Sequence, residues 1–443
     1  MADHPVSLEN ISYRRLFPWL HLARAFWIAA DFRKLILAAA ALMLVSAGSL
    51  GFDRLPFASP RASRNEAAYS DAPLWPWQRN LGYETPAGVG RLPIEEALTS
   101  PRETLLRAAS NWQIVLLPIR DVLGHAPVLF RGDARLPELA DAATRLLWNL
   151  IVWSIFGGAI CRIAALQFAR NQQIGMGGAL AFSLKKFLGY FSAPLMPLVA
   201  VALLWLLCVI GGAIGRIPGG VGEILLGVLW GLELLFGFLM SIVLIGVSLG
   251  WPLMFATISV EGTDGFDGLS RAYNYVFERP LYVLWQVVLT MAYGSLAIFL
   301  VWSLSQLLTQ LAVWGVSWGL GHPATAGLIT GSPELVFQGG AAPGLQSGST
   351  GSVIAIVWMN ALALLVVGFV YTFFWSSATI AYFILRHSVD ANDFDEVYIE
   401  DAEEKDELLP LVGTAAMGEA GNPPAPAAPP ETAAADKPVD LTP

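Results

Sequence analysis

The stretch EGTDGFDGLSRAYNYVFERP, Glu261 to Pro280, separates two apolar segments that are each long enough to cross a bilayer. Asp264 is a suitable N-cap, Asp267 can pair with Arg271 one turn later, and Pro280 stops a helix. The apolar and polar residues between them recur at helical spacing on opposite faces: Phe266, Leu269, Tyr273 and Val276 against Asp267, Arg271, Asn274 and Glu278. We therefore predict an amphipathic elbow helix on the membrane surface, with five structural residues: Glu261, Asp264, Asp267, Arg271 and Arg279.

The composition places the chain in a membrane. Of its 443 residues, 55% are hydrophobic and only 14% are charged, and the mean hydropathy is +0.56. The net charge of -9 is concentrated in the last segment, because Ser388 to Pro443 holds 14 Asp and Glu against two Lys. No Lys/Arg cluster reaches the density that nucleic-acid binding needs, so we expect no nucleic-acid partner.

Six apolar runs are long enough to span a hydrocarbon core of about 30 Å. They are Leu35 to Phe52, Leu146 to Phe168, Phe191 to Ile214, a run within Ile224 to Val260, one within Leu281 to Val316, and Val353 to Leu385. The predicted fold is an all-α membrane protein of about six transmembrane helices, with amphipathic elbow helices on the cytoplasmic side and a small external cap.

The distribution of basic residues orients the spans. Short loops with Arg and Lys alternate with Gly215 to Gly222, which has one Arg, and Gly319 to Ser352, which has none, so the positive-inside rule places both termini in the cytoplasm. The loop from Asp53 to Arg145 holds 11 Arg and 11 Asp and Glu, but long loops translocate largely regardless of charge, and we place it outside. The predicted order is a cytoplasmic amphipathic segment (1–34), the first span (35–52), an external cap loop (53–145) and the remaining spans (146–387). These last include an external loop at 319–352, and an acidic, then Pro/Ala-rich disordered tail (388–443) follows.

Two further amphipathic segments precede the other outward-going spans, from Leu16 to Trp27 and from Leu180 to Phe191. We therefore predict three units, each an elbow followed by a helical hairpin. Two apolar tracts are too long for one crossing, since Val221–Val260 and Leu281–Val316 would measure about 60 and 54 Å as helices. Either they kink, for which Gly250-Trp251-Pro252 is a suitable place, or they project outward, which we favour.

Two acidic residues fall inside or beside the apolar run of a span, Glu223 and Glu233. A carboxylate inside the membrane suggests a proton or cation relay, with Arg216 as a possible partner on the pathway. The alternative is that both lie on a projecting part of the helix, in water or paired with Arg216. The chain has no metal-ligand spacing and no catalytic motif, so we expect no metal, no cofactor and no enzymatic activity.

Three segments carry a resemblance: GALAFSLKKFLGYFSAPLMPL (Gly178 to Leu198), Glu261 to Pro280, and YFILRHSVDANDFDEVYIE (Tyr382 to Glu400). They resemble segments of uncharacterised bacterial integral membrane proteins. More loosely, an amphipathic helix that follows Glu-Gly after a span is similar to the membrane domain attached to some glycerophosphodiester phosphodiesterases. The soluble catalytic barrel of those enzymes has no counterpart in this chain. The resemblance implies a location in a bacterial cytoplasmic membrane and implies no activity.

The leading hypothesis for function is a non-enzymatic interaction or envelope-organising protein. Its expected contacts are membrane lipid and a protein partner, bound at the external cap or at the acidic tail from Asp390 to Glu407. The alternative hypothesis is a transporter of a small solute or lipid, with Glu233 lining the pathway.

Overall fold

The computed structural model of the chain describes residues 17–56, 58, 75–79, 81–83, 99–218, 220–320 and 350–399. The residues up to Val397 belong to one compact unit, and a second unit begins at Tyr398. The predicted Pro/Ala-rich tail, most of the predicted 319–352 loop and residues 1–16 lie outside the described residues, so the predictions made for them are not tested.

The protein is an all-α, multi-pass membrane protein, as predicted. Six described helices are long and apolar enough to cross a bilayer: α2 (Phe32–Phe52), α6 (Leu136–Arg170), α8 (Phe187–Ile214), α9 (Val221–Glu261), α11 (Pro280–Leu320) and α12 (Thr350–Asp390). The shorter helices are α1 (Ala25–Ala29), α3 (Pro101–Ser110), α4 (Leu117–Leu123), α5 (Ala126–Leu129), α7 (Met176–Lys185) and α10 (Gly265–Glu278). Three 3₁₀ segments complete the described elements, at Pro18–Arg24, Pro76–Gln78 and Trp112–Leu116.

The centre of the bundle is α6. In its most apolar stretch 83% of the residues are buried, and it contacts α2, α7, α8, α9 and α12. Two glycines permit this packing: a Cβ on Gly157 would lie 3.0 Å from the ring of Trp375 on α12, and one on Gly158 would lie 2.8 Å from the ring of Tyr190 on α8. The large aromatic side chains of the neighbouring helices therefore pack directly on the α6 backbone.

A short helical segment precedes α2, α8 and α11, as the three-unit prediction requires. Pro18–Arg24 and α1 precede α2, α7 precedes α8, and α10 precedes α11. The predicted N-cap of α10 is confirmed, because the Asp264 side chain accepts a hydrogen bond from the backbone N–H of Asp267 at 2.9 Å. We call the end of the bundle that carries these segments the elbow end, and the opposite end the cap end.

The face of α10 that packs on the protein differs from the predicted apolar stripe. The buried residues are Gly265, Gly268, Ala272, Tyr275 and Val276, whereas Phe266 in the predicted stripe is 65% exposed. Small residues allow the close contact, since a Cβ on Gly268 would lie 3.0 Å from Ile258 of α9. The packed face thus combines small residues with two members of the predicted stripe, Tyr273 and Val276, whereas Phe266 faces outward.

Two groups of paired polar side chains mark the thickness of the apolar slab on α2 and α6. At the elbow end, the Lys34 ammonium donates to Gln167 Oε1 at 2.7 Å. At the cap end, the Arg145 guanidinium contacts the Asp53 carboxylate at 2.8 Å. Along the helix, Gln167 and Arg145 are about 33 Å apart, close to the ~30 Å of a bilayer hydrocarbon core. The positions of these two groups define the two boundaries of the slab, from which we measure the depth of other residues.

The described part of the predicted cap enters between the spans. The Tyr83 hydroxyl donates to the Ser295 carbonyl of α11 at 3.3 Å, and a Cβ on Gly294 would lie 2.7 Å from Val115. Gly294 lies about 21 Å along α11 from Pro280, which is less than one hydrocarbon thickness. Tyr83 therefore packs at membrane depth against α11, and the 3₁₀ segment that contains Val115 packs there against α11 and α12.

The contact between α9 and α10 predicts a position-specific effect of adding one methyl group. The Tyr273 hydroxyl donates to the Val243 carbonyl at 2.8 Å, which fixes the ring where a Cβ on Gly246 would approach it to 2.4 Å. We expect Gly246→Ala to lower the free energy of unfolding by about 1–3 kcal/mol, as overpacking does. The measurement is the thermal unfolding midpoint of the purified protein in detergent.

Gly237→Ala on the same helix is the matched control, because a Cβ there meets no atom within 4 Å. Alanine has a higher helix propensity than glycine, so this variant should unfold at the same temperature as the natural protein or slightly above it. A Gly246→Ala midpoint equal to that of Gly237→Ala would contradict the packing described.

Candidate functional site

A buried carboxylate, Glu261, joins three helices at the elbow end. It is the last residue of α9, and its carboxylate lies 2.8 Å from the Arg271 guanidinium of α10 and 3.3 Å from Nε of Arg386 on α12. The Tyr382 hydroxyl donates to the same carboxylate. The Glu261 side chain is 9% exposed and that of Arg386 is 10% exposed. The carboxylate has thus replaced most of its water with two cations and a hydroxyl.

The local sequence explains how Glu261 reaches this position. Gly262 has a φ of +66°, a left-handed conformation that glycine adopts without strain, and it ends α9 directly after Glu261. The Lys186 ammonium donates to the Gly262 carbonyl and connects the start of α8 to this turn. Burial alone would lower the pKa of Arg271, but the adjacent Glu261 carboxylate raises that pKa above its usual value.

The predicted elbow residues divide into two groups in the structure. Glu261 and Arg271 form the ion pair, so the predicted pairing of Asp267 with Arg271 is wrong. Asp264 caps α10, Asp267 lies in its first turn and Arg279 follows its last residue. Sequence reasoning missed Tyr382 and Arg386, which come from α12, more than a hundred residues later. The available signal was their spacing of four, which puts both on one face near the end of a span.

The segment after α12 folds back over the elbow end. We call it the C-terminal strap, Ala391–Val397. Its Glu396 carboxylate lies 3.1 Å from the Arg386 guanidinium, and the ring of Phe394 lies 4.9 Å from that of His21 and 4.6 Å from that of His387. Part of the acidic run that was predicted to bind a partner is therefore used within the protein.

A second polar cluster lies nearer the cap end. The Arg79 guanidinium contacts the Asp121 carboxylate at 2.5 Å and the Tyr371 hydroxyl at 2.8 Å, and that hydroxyl donates to Asp121. The ring of Tyr371 stacks on Trp153 of α6, with centroids 4.9 Å apart and planes 3° from parallel. Tyr371 lies about 22 Å along α12 from Arg386, so this cluster is also at membrane depth.

One face of α12 connects the two clusters. It carries five residues at helical spacing, all buried: Tyr371, Trp375, Thr379, Tyr382 and Arg386. The space around the middle of this face is occupied by aromatic rings, since Trp375 packs against Phe255 at 4.8 Å and Trp251 at 5.3 Å between ring centroids. This arrangement is typical of a rigid core and leaves little room for a solute.

The three predicted pathway residues lie beyond the slab, at the cap end. The Glu233 carboxylate packs against Gly211 of α8, and Glu233 lies about 42 Å along α9 from Glu261, more than one hydrocarbon thickness. Glu223 and Arg216 are exposed near the turn between α8 and α9. No ion pair joins these three among the residues that the structure describes. Their role as a relay stays a prediction.

The outer parts of the long helices leave large apolar side chains uncovered. We call residues 208–218 and 220–239 the α8–α9 tip, which begins about 31 Å along α8 from Phe187. Residues 300–320 together with 351–358 form the α11–α12 tip. Trp230 in the first is 56% exposed and Trp318 in the second is 79% exposed. Each lies within a similar short motif, GVLWG (Gly227–Gly231) and GVSWG (Gly315–Gly319). A Cβ on any of these four glycines would meet no atom within 4 Å.

Comparison with models of protein families, with curated proteins and with solved structures finds no match for this chain. The resemblance to bacterial membrane proteins and to the phosphodiesterase membrane domain therefore stays a prediction.

The contacts of Glu261 predict that removal of its negative charge destabilises the folded protein. Glu261→Gln removes one of the two carboxylates beside Arg386 and leaves Glu396 as its partner, so we expect a loss of about 1.5–3 kcal/mol in the free energy of unfolding. Glu278→Gln is the control, because Glu278 is an exposed residue of α10 that accepts one hydrogen bond from Asn274. The measurement is chemical unfolding in mixed micelles. Equal stabilities of the two variants would contradict a role for Glu261 in holding the elbow end.

The Arg79–Asp121 pair is best tested with a double-mutant cycle. We expect Arg79→Gln and Asp121→Asn to be each destabilising, and the double variant to be less destabilised than their sum by about 0.5–3 kcal/mol. Arg131 and Asp133 form the control pair, since their 3.2 Å contact is exposed and should show no measurable coupling. Additive effects at Arg79 and Asp121 would mean that the two side chains do not interact in the folded protein.

Proposed function

We propose that the chain is a multi-pass protein of a bacterial cytoplasmic membrane that assembles with other membrane proteins and has no enzymatic role. The observation that carries the proposal is the pair of uncovered apolar tips. Both are parts of helices longer than a bilayer is thick, and both expose tryptophan beside four-spaced glycines. Such glycines allow the backbone of a second helix to approach closely.

Tilting does not bring these helices inside the bilayer. At 41 residues, α9 is about 61 Å long. To fit within a hydrocarbon core of about 30 Å it would have to tilt by about 60°, whereas transmembrane helices tilt by up to about 40°. The apolar tip therefore extends beyond the slab, where exposure to water is unfavourable and a protein partner would cover it.

The orientation follows from charge, as the sequence suggested. The elbow end carries a run of basic side chains: Arg33, Lys34, Arg162, Lys185, Lys186 and Arg386. The positive-inside rule assigns that end to the cytoplasm. Both termini are then cytoplasmic, and both tips lie on the external side, where an envelope-organising protein would meet its partners. The described part of the predicted external cap is instead inserted among the spans.

The transport alternative has less support from the geometry. Glu233 lies beyond the slab and beside the turn of a hairpin, whereas a coupling carboxylate is expected near the middle of the membrane. The interior along α12 is filled by packed aromatic rings around Trp375. A bundle filled in this way is suited to present surfaces to a partner.

Photo-crosslinking at the tips tests the assembly function. A benzophenone amino acid replaces Trp230 or Trp318 in the full chain, the cells are irradiated, and the protein is isolated in native lipid nanodiscs. We expect discrete protein adducts of one mass from each tip. The control replaces Trp27, which is 79% exposed at the elbow end and should give lipid adducts.

A second variant shows whether the adducts depend on the tip surface. Gly231→Ile adds a branched side chain at the point of helix approach and should abolish the Trp230 adduct, whereas Gly177→Ile, at a similarly open position on α7 at the elbow end, should preserve it. Lipid adducts alone at Trp230 and Trp318, as at Trp27, would refute assembly through the tips.

A further inference from the structure

A wholly apolar groove lies among three spans and the inserted helix α4. It is lined by Leu147 and Leu150 of α6, Leu195 and Leu198 of α8, Trp251 of α9 and Val122 of α4, and no polar atom faces it. Its enclosed part has a volume of about 30 Å³, which is room for about two water-sized groups and well below the volume of a small-molecule site. It differs from the tips because it is a concave site within the compact part of the bundle.

The groove lies inside the slab. Leu150 is about 25 Å along α6 from Gln167, the residue that marks the elbow-end boundary, and about 8 Å from Arg145 at the cap-end boundary. Trp251 is about 15 Å along α9 from Glu261. The depth is therefore that of the bilayer hydrocarbon, in the middle and the cap-end half of the slab.

The mouth opens sideways. Leu147 lines the groove and is 41% exposed, and Met196 and Val199, which flank the lining residues of α8, are 38% and 49% exposed. Val122 closes the groove on the side of α4. At this depth the medium outside the mouth is lipid hydrocarbon, and water that entered an apolar groove would find no hydrogen-bond partner. A lipid acyl chain is therefore the molecule that contacts the mouth and matches its apolar surface.

We propose that this groove binds a short segment of one acyl chain of a membrane phospholipid, held between α6 and α8 beneath α4 while the rest of that chain stays in the bilayer. The acyl chain fills space that would otherwise be empty, and it makes dispersion contacts with leucine and tryptophan side chains. The proposal is independent of assembly through the tips, because the groove is within the slab and the tips are beyond it.

The test uses a phosphatidylcholine that carries a diazirine in the middle of one acyl chain. The full chain is reconstituted in vesicles of unlabelled phosphatidylcholine with a small fraction of this probe, irradiated and digested, and the labelled residues are identified by mass spectrometry. We expect label on groove residues such as Leu150, Leu195 and Leu198 at higher yield than on Leu203, which is 59% exposed on the outside of α8.

Leu147→Trp narrows the mouth from a partly exposed position, so it should fold. We expect it to reduce labelling of Leu150, Leu195 and Leu198 about tenfold, which corresponds to about 1.4 kcal/mol of binding free energy. Leu203→Trp, which adds the same side chain outside the groove, should leave that labelling unchanged. An equal reduction in both variants would overturn the proposal.

The labelling pattern of the unmodified protein tests the proposal even if Leu147→Trp does not fold. Labelling of groove residues no stronger than that of Leu203 would mean that only the general lipid surface contacts the protein. Crosslinks from the groove to a second protein chain would mean that a side chain occupies it. Either result would overturn the proposal.

Discussion

A carboxylate at the end of a membrane helix is stable only if other groups replace the water that it loses on burial. Glu261 receives these groups from two different helices, Arg271 from α10 and Tyr382 and Arg386 from α12. Desolvation of such a cluster costs several kcal/mol for each ion, so the cluster holds only where all the partners are in place. The angle between α9 and its elbow and the position of α12 are therefore fixed together by one side chain.

The same helix, α12, carries this constraint through the bundle to the second cluster. Tyr371 is on the face that also bears Arg386, and it contacts Arg79 and Asp121 from the inserted segment. A shift of α12 along its axis would break hydrogen bonds at both clusters. The stacked rings of Trp153 and Tyr371 and those around Trp375 fill the space between them. We conclude that α12 is held at two depths and that the inserted segment is one of its supports.

The sequence predicted the features that depend on neighbouring residues. The N-cap at Asp264, the end of α10 before Pro280 and the number of spans follow from local chemistry and length, and the structure has them. The partner of Arg271 could not be predicted in this way, because Glu261 reaches it only after Gly262 turns the chain. The buried face of α10 was missed because Gly265 and Gly268 add nothing to an apolar stripe, although their small size lets two backbones approach. The contacts of Arg79 with α12 join residues too far apart in sequence for any local pattern to indicate.

The protein meets two different solvents along the same helices, and this explains why its apolar surfaces have different forms. Within the slab, hydrocarbon surrounds the bundle, so a concave apolar site such as the groove beside Leu147 suits a flexible lipid chain, which can enter it at little cost. Beyond the slab there is no hydrocarbon, and an apolar helix face exposed to water loses about 25 cal/mol for each Å² left uncovered. Lipid cannot remove that cost at the α8–α9 tip, because Glu233 and the residues around it are farther from the elbow end than the hydrocarbon extends. The rigid surface of another protein can remove that cost. Gly227 and Gly231 leave the backbone of α9 open to the approach of another helix. The two proposals therefore assign different partners to the two kinds of apolar surface, lipid to the groove and protein to the tips.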